Sequence, residues 1–208
     1  MLQPQITALS GKAHVIVLPE MFTTGFSMQP ANFAEVMDGE TVQWLKALAR
    51  QTDAAITGSI MIKENDLYYN RLLWVQPDGV VHHYDKKHLF TLSGEEQVYQ
   101  AGSTKLVVTY RGWKICPMIC YDLRFPVWSR NIKGDEAYDV LLYVANWPER
   151  RSYAWKQLLI ARAIENQCYV AGVNRVGTDG NKLYHNGLTT LIDPMGEVLY
   201  QKENDEDV

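Results

Sequence analysis

The stretch "ICPMICYDLRFPVW", residues 115–128, decides how the rest of the chain is read. An apolar run from Ile115 to Ile119 leads to Cys120. Tyr121, Asp122 and Arg124 follow at once, and Phe125-Pro126 closes the run. Such a run, bounded by turn and charged residues, reads as a buried strand. A cysteine in a core is usually a small hydrophobe. At a sharp strand-to-helix turn it can instead be held out as a nucleophile. The residues at the other strand ends bear on which of the two Cys120 is.

Working outward, "HVIVLPEM" (14–21) is a short β-branched run ended by Pro19, and "YDVLLYVANWP" (138–148) and "CYVAGVNRVG" (168–177) read as further buried strands. "AAITGSIMIKE" and "YYNRLLWVQ" form a strand pair around the polar turn "NDL", and "VVHHYDKKHLF" follows the strong turn "QPDGV". "TKLVVTY" and "WKICPMIC" flank Arg111-Gly112, a hairpin signal. A last strand pair surrounds Pro194-Met195-Gly196. Two segments have helical period: "GETVQWLKALARQ" (39–51), and "SYAWKQLLIARAIENQ" (152–167), for which Ser152 is a candidate cap. Apolar residues spread over more than one face of the second. Strands alternate with helices while hairpins interrupt the alternation. This predicts an α/β layered fold with mixed sheets covered on both faces.

A chain of 208 residues with 47% hydrophobic and 21% charged residues suits one globular domain spanning residues 1–208. A net charge of −4 argues against a nucleic-acid partner, because phosphate contacts need a basic surface, and Lys86-Lys87-His88 is too short a cluster to change that. No apolar run approaches membrane-spanning length and no secretory leader pattern opens the sequence. A cytoplasmic setting with Cys116, Cys120 and Cys168 reduced is therefore expected. The cysteine spacing fits no zinc site, and no phosphate loop is present, so neither metal nor cofactor is expected. The acidic end "KENDEDV" reads as solvated.

The predicted strands end in Glu20, Lys86, Cys120, Asn146-Trp147 and Asn174-Arg175. In open α/β sheets ligands bind outside the carboxyl ends of strands. A carboxylate, an ammonium and a thiol suffice for acyl transfer. A free thiol has a pKa of about 8.5 and needs help at neutral pH. A lysine can favour the thiolate or hold an oxyanion, and a carboxylate can take the thiol proton and pass it to a leaving amine. The backbone N–H of Tyr121, just after Cys120, is a natural second oxyanion donor.

"VLPEMF", "YDKKHLF" and "CYDLRFP" resemble, in order and separation, the three catalytic motifs of the nitrilase superfamily of carbon–nitrogen hydrolases. The segment "ANWP…W…L…ARAIENQCYVAGVNRVG" is similar to the family's sequence beyond its third motif. Within the superfamily the sequence looks most like bacterial omega-amidases, which hydrolyse the terminal amide of 2-oxo dicarboxylic acid monoamides such as 2-oxoglutaramate. The resemblance implies a four-layer α-β-β-α sandwich and a homodimer packed through helices, "WKQLLIARAIENQ" among them. It implies Glu20 as general base, Lys86 as oxyanion stabiliser and Cys120 as nucleophile. A second glutamate that positions the lysine falls on Glu95, with Glu96 as the alternative. Compared with that family, the domain is expected to lack the first strand–helix unit and the C-terminal tail.

Other residues carry plainer readings. Cys116 and Cys168 are read as core thiols, and His88 as a structural hydrogen-bonder. Asp122 and Arg124 are read as a local ion pair fixing the turn. Arg124 and Arg175 are rival candidates for a substrate carboxylate. Trp147 either lines the pocket or fills the core, and Asn70 is read as a turn or strand-pairing residue rather than a ligand. Two other functions stay open: the same triad acting on another amide, a nitrile or a carbamoyl compound, or a non-catalytic binding remnant. A thiol redox protein is disfavoured because no C-x-x-C pair exists.

Overall fold

The structure, a computed structural model, describes residues 2–206. Two sheets form its centre. In the first, β1 (Val15–Val17) runs parallel to β2 (Ala55–Glu64), and β3 (Leu67–Val75) and β4 (Val81–Asp85) continue it antiparallel, in the order β1-β2-β3-β4. The second contains β5 (Val108–Tyr110), β6 (Trp113–Ile119), β7 (Val140–Ala145), β8 (Tyr169–Asn174), β10 (Tyr184–Ile192) and β11 (Val198–Glu203), ordered β11-β10-β8-β7-β6-β5. The short β9 (Val176–Thr178) pairs with β10. β6, β7 and β8 are parallel, and the flanking pairs are antiparallel, so both sheets are mixed as expected.

Side-chain alternation along the strands builds the layers. Leu73 and Val75 of β3 face outward and pack with Val42, Leu45, Leu48 and Ala49 of α3 (Glu40–Thr52) and Ile6 of α1 (Leu2–Thr7). Trp74, between them in sequence, faces inward and meets Ala55, Val108, Ile115 and Leu142, the filling between the sheets. On the far side Met118, Leu141, Tyr143 and Val170 pack against Trp155, Leu159 and Ala163 of α5 (Ser152–Asn166). The result is the four-layer α-β-β-α sandwich. Burying each such large apolar side chain stabilises the fold by about 1.5–3 kcal/mol. Two single-turn helices, α2 (Pro30–Phe33) and α4 (Pro126–Ser129), lie in the connections, each begun by proline.

Some local expectations change. The β2–β3 connection is tighter than "NDL", because Asn65 and Asp66 alone make the turn, both at positive φ (49° and 61°), as a two-residue hairpin loop requires. β4 stops at Asp85, and Lys86 just beyond it keeps one ladder bond, its N–H donating to the Asn70 carbonyl of β3 at 3.0 Å. Ser152 is already helical and caps nothing; Arg151 holds the cap position of α5. The outer side of α5 is partly covered from within the chain. The turn at Gly196 lies so close that a Cβ there would stand 2.7 Å from Ile164.

Candidate active site

β6 delivers Cys120. The strand ends at Ile119, and Cys120 opens a turn of 3₁₀ helix, Cys120–Arg124, at φ 43°, a conformation that costs a non-glycine residue energy and needs local support. Asp122 supplies it. Fully buried, its carboxylate accepts the Ile119 N–H (3.1 Å), the Tyr84 hydroxyl (2.7 Å) and the His88 N–H (2.9 Å), and sits 2.8 Å from His88 Nδ1. The buried Arg162 guanidinium of α5 reaches the Leu123 carbonyl at 2.7 Å. Charged residues follow this strand at once because one of them builds the turn that presents the thiol. The expected Asp122–Arg124 ion pair does not form. Asp122 turns inward to bind backbone, whereas Arg124 lies over the Trp147 ring, 4.8 Å from its centroid. His88 is a structural partner as read, stacked on Phe125 at 3.7 Å.

The other sheet supplies the remaining charges. After β1 the chain crosses β2 at Gly58, where a Cβ would stand 2.8 Å from Leu18, and Met21 at φ 43° turns Glu20 inward. Met21 N–H donates to Ser59 Oγ and pins that turn. Lys86 follows β4, and Glu95 lies in a short 3₁₀ turn, Glu95–Gln97. Lys86 Nζ sits 2.9 Å from Glu20 Oε1 and 2.9 Å from Glu95 Oε2, with all three side chains buried. Glu95 is further held by the Phe90 N–H at 2.6 Å, whereas Glu96 is exposed. Asn70 of β3, read from sequence as a pairing residue, bridges the two glutamates: its amide donates to Glu20 Oε1 (2.8 Å) and Glu95 Oε1 (3.3 Å). Asn146, at the end of β7, donates its N–H to Glu20 Oε2 (2.8 Å) and its side-chain amide to the Glu20 carbonyl.

Electrostatics follow from this packing. Cys120 opens onto the cleft on one side. Dense surroundings push its thiol well above its usual range, and Glu20, which is also within hydrogen-bonding reach, pushes it further; Lys86 pulls the other way. Burial by itself would lower the Lys86 ammonium, but Glu20 and Glu95 outweigh it, so the lysine stays charged. Burial raises Glu95 against the pull of Lys86. Cys116 and Cys168 are buried thiols pushed up to about 12 by burial, as expected of core cysteines.

Glu20, Lys86, Cys120 and Tyr121 line a cavity of about 720 Å³ whose walls include Phe26, Phe90 and Trp147. Trp147 fills both sequence readings: it borders the cavity and packs on Trp155, with ring centroids 5.4 Å apart. Arg124 lines the cavity. Arg175 does not; it stands behind Asn146, with Nη1 3.4 Å from Asn146 Oδ1. Arg150 and Arg151, passed over in the sequence, are on the wall instead.

A half-buried thiol beside a carboxylate–ammonium–carboxylate group, at the meeting of two mixed sheets, places the chain among hydrolases of the nitrilase-like sandwich class. The Carbon-nitrogen hydrolase family model matches residues 5–208, and the chain belongs to that family. It is 50% identical over 195 residues to Omega-amidase YafV of Escherichia coli K12, an alignment covering 94% of this chain and 74% of the relative. It is 39% identical over 204 residues to a 2-oxoglutaramate amidase of Bacillus subtilis, covering 96% and 77%. The crystal structure of XC1258 from Xanthomonas campestris, a CN-hydrolase superfamily protein with an arsenic adduct in its active site, superposes with a TM-score of 0.95 at 46% identity, covering 98% of this chain and 79% of that one.

Proposed function

We propose that the chain is an omega-amidase that releases ammonia from the terminal amide of a 2-oxo dicarboxylic acid monoamide such as 2-oxoglutaramate, with Cys120 as nucleophile. The observation that carries the reading is Lys86 clamped between Glu20 and Glu95 beside a thiol that Glu20 reaches. The names of the relatives point the same way.

In this reading the thiol, whose proton affinity is raised, rests protonated. Its proton must therefore leave as attack begins, and Glu20 accepts it. Cys120 Sγ bonds to the amide carbon while the carbonyl electrons move to oxygen. Lys86 Nζ and the Tyr121 N–H hold that oxyanion. Glu20 returns the proton to the nitrogen, the C–N bond breaks, ammonia departs and a thioester remains. Water, deprotonated by Glu20, attacks the thioester and frees the acid and the thiol. Glu95 and Asn70 act on Glu20 and Lys86, fixing their positions.

The proposal includes a homodimer in the cytoplasm. What supports the dimer is apolar surface left on α5 and its neighbours: Tyr153 and Met195 are 80% and 79% exposed, with Ile164 and Leu199 nearby in the fold's outer layer. Light scattering tests it. Three free cysteines suit a reducing compartment.

Ammonia release from 2-oxoglutaramate, 2-oxosuccinamate, glutamine, asparagine and a simple nitrile tests the activity, with Cys120→Ala alongside. Release from the 2-oxo amides that vanishes in the variant is expected. Full turnover by Cys120→Ala would sink the mechanism, and release only from another substrate would move the specificity.

A further inference from the structure

Beyond the reacting groups, the cleft wall carries more positive charge than the protein can account for. Arg124, Arg150 and Arg151 all border the cavity of a chain that is net negative. Among the described residues none of the three forms an ion pair, while Arg71, Arg111, Arg130 and Arg162 all do. The wall's acids are committed elsewhere. Glu20 is held by Lys86, and Asp179 Oδ1 accepts the Asn181 and Leu183 N–H groups of its own turn, each at 2.9 Å.

Arg151 is the most constrained of the three. Its guanidinium lies over the Phe90 ring, 4.7 Å from the centroid, and its Nε–H is buried without a hydrogen-bond partner. Leaving such a donor unpaired is costly, and the cost is recovered when an acceptor arrives. Burial, and then the neighbouring charge of Arg150, push the guanidinium below its ordinary value, so an incoming anion relieves repulsion as well as pairing the donor. Arg151 also stands at the N-terminus of α5, where the helix dipole favours negative charge. The planar fork of a guanidinium suits a carboxylate in two-point contact.

We propose that Arg151, assisted by Arg124 on the cavity wall, is the anchor for a carboxylate at the far end of the substrate, and so makes the enzyme select anionic over neutral amides. This rests on the amidase reading, and it puts Arg151, with Arg124 beside it, in place of Arg175 at the substrate carboxylate. It commits the Phe90 ring to a second task, since the ring holds the guanidinium flat against the wall.

Two measurements test it on the full chain. The first is the ratio of kcat/KM, by ammonia release, for 2-oxoglutaramate against its methyl ester, which keeps the reacting amide and loses the charge. Arg151→Met is expected to lower that ratio by about 10- to 100-fold, the range for losing hydrogen bonds to a charged group. Arg151→Lys, which keeps the charge without the fork, falls between. The second needs no turnover: glutarate should slow iodoacetamide labelling of Cys120, and the glutarate concentration required should rise by about the same factor in Arg151→Met. A wild-type ratio in a folded Arg151→Met protein, or a collapse of the ratio in Arg175→Met instead, overturns the assignment. Wild-type protein that releases no ammonia yet is protected by glutarate through Arg151 would cost the amidase reading and keep the anchor. Absence of protection in wild type would cost the anchor.

Discussion

Replacing Glu20 by glutamine should make Cys120 easier to alkylate and the enzyme nearly inert. The carboxylate lies within hydrogen-bonding reach of the thiol and is among the groups that raise its proton affinity. A unit charge about 4 Å away at an effective dielectric constant of about 20 contributes about 4 kcal/mol before the site relaxes. Lys86 keeps Glu95 as a partner, so only part of that effect survives, and the thiol's proton affinity falls. A lower proton affinity gives more thiolate at pH 7, and the less basic thiolate loses about half of that advantage on a logarithmic scale. The net expectation is alkylation by iodoacetamide about 3- to 10-fold faster at pH 7, mapped to Cys120. Turnover should fall by about 10²- to 10⁴-fold, the span for losing a general acid–base group. Circular dichroism and the melting temperature check that the Asn146 and Asn70 contacts still hold the fold. Alkylation that slows together with turnover would refute the argument, because Glu20 would then act on the resting thiol as a standing base rather than as a repelling charge.

Asp122→Ala should cost about 3–5 kcal/mol in urea unfolding, because the Ile119 and His88 N–H groups and the Tyr84 O–H donor lose the acceptor they share; a loss below about 1 kcal/mol would show that the turn at Cys120 holds itself. Gly172→Ala would place a Cβ 2.6 Å from Leu159 Cδ1 and 2.8 Å from Trp155 Cζ2, and a melting curve should show about 1–3 kcal/mol of overpacking. His185 is buried, and burial followed by the charge of Arg175 lowers its pKa below 6.5, so the unfolded chain takes up the proton first as pH falls. Its contribution is present above about pH 6.5 and lost as pH drops through the folded value, and His185→Gln should flatten the fall in melting temperature across that window.

The charged strand ends were legible because each breaks an apolar run, and because three of them match an ordered set of motifs. The layers were legible from strands apolar on both faces. Asn70 was not, because asparagine in "YYNR" is common near turns. The available signal was that two polar residues, Asn70 and Arg71, stand directly before the apolar run Leu72–Val75, and the structure buries all six. Such a position is stable only if polar partners come from elsewhere in the chain. Asp122 was misread because proximity in sequence was taken for contact. At a strand end a side chain two residues away can face the opposite direction, and here Asp122 faces β4 while Arg124 faces Trp147. The "PERR" segment gave no sequence cue, since its arginines matter only because, among the described residues, no acid pairs with them in space.

Glu20, Asn70 and Lys86 hang from one sheet, and Cys120 and Asn146 from the other. One contact that joins them, from Asn146 to Glu20, closes 126 residues of chain. Chain closures of this length are slow to find and are made late. Each sheet can therefore gain its hydrogen-bonded ladders before Cys120 and Asn146 meet Glu20. After dilution from denaturant, ammonia release should return later than the far-ultraviolet signal of the strands, and in step with the fluorescence of Trp74, which lies where the two sheets close.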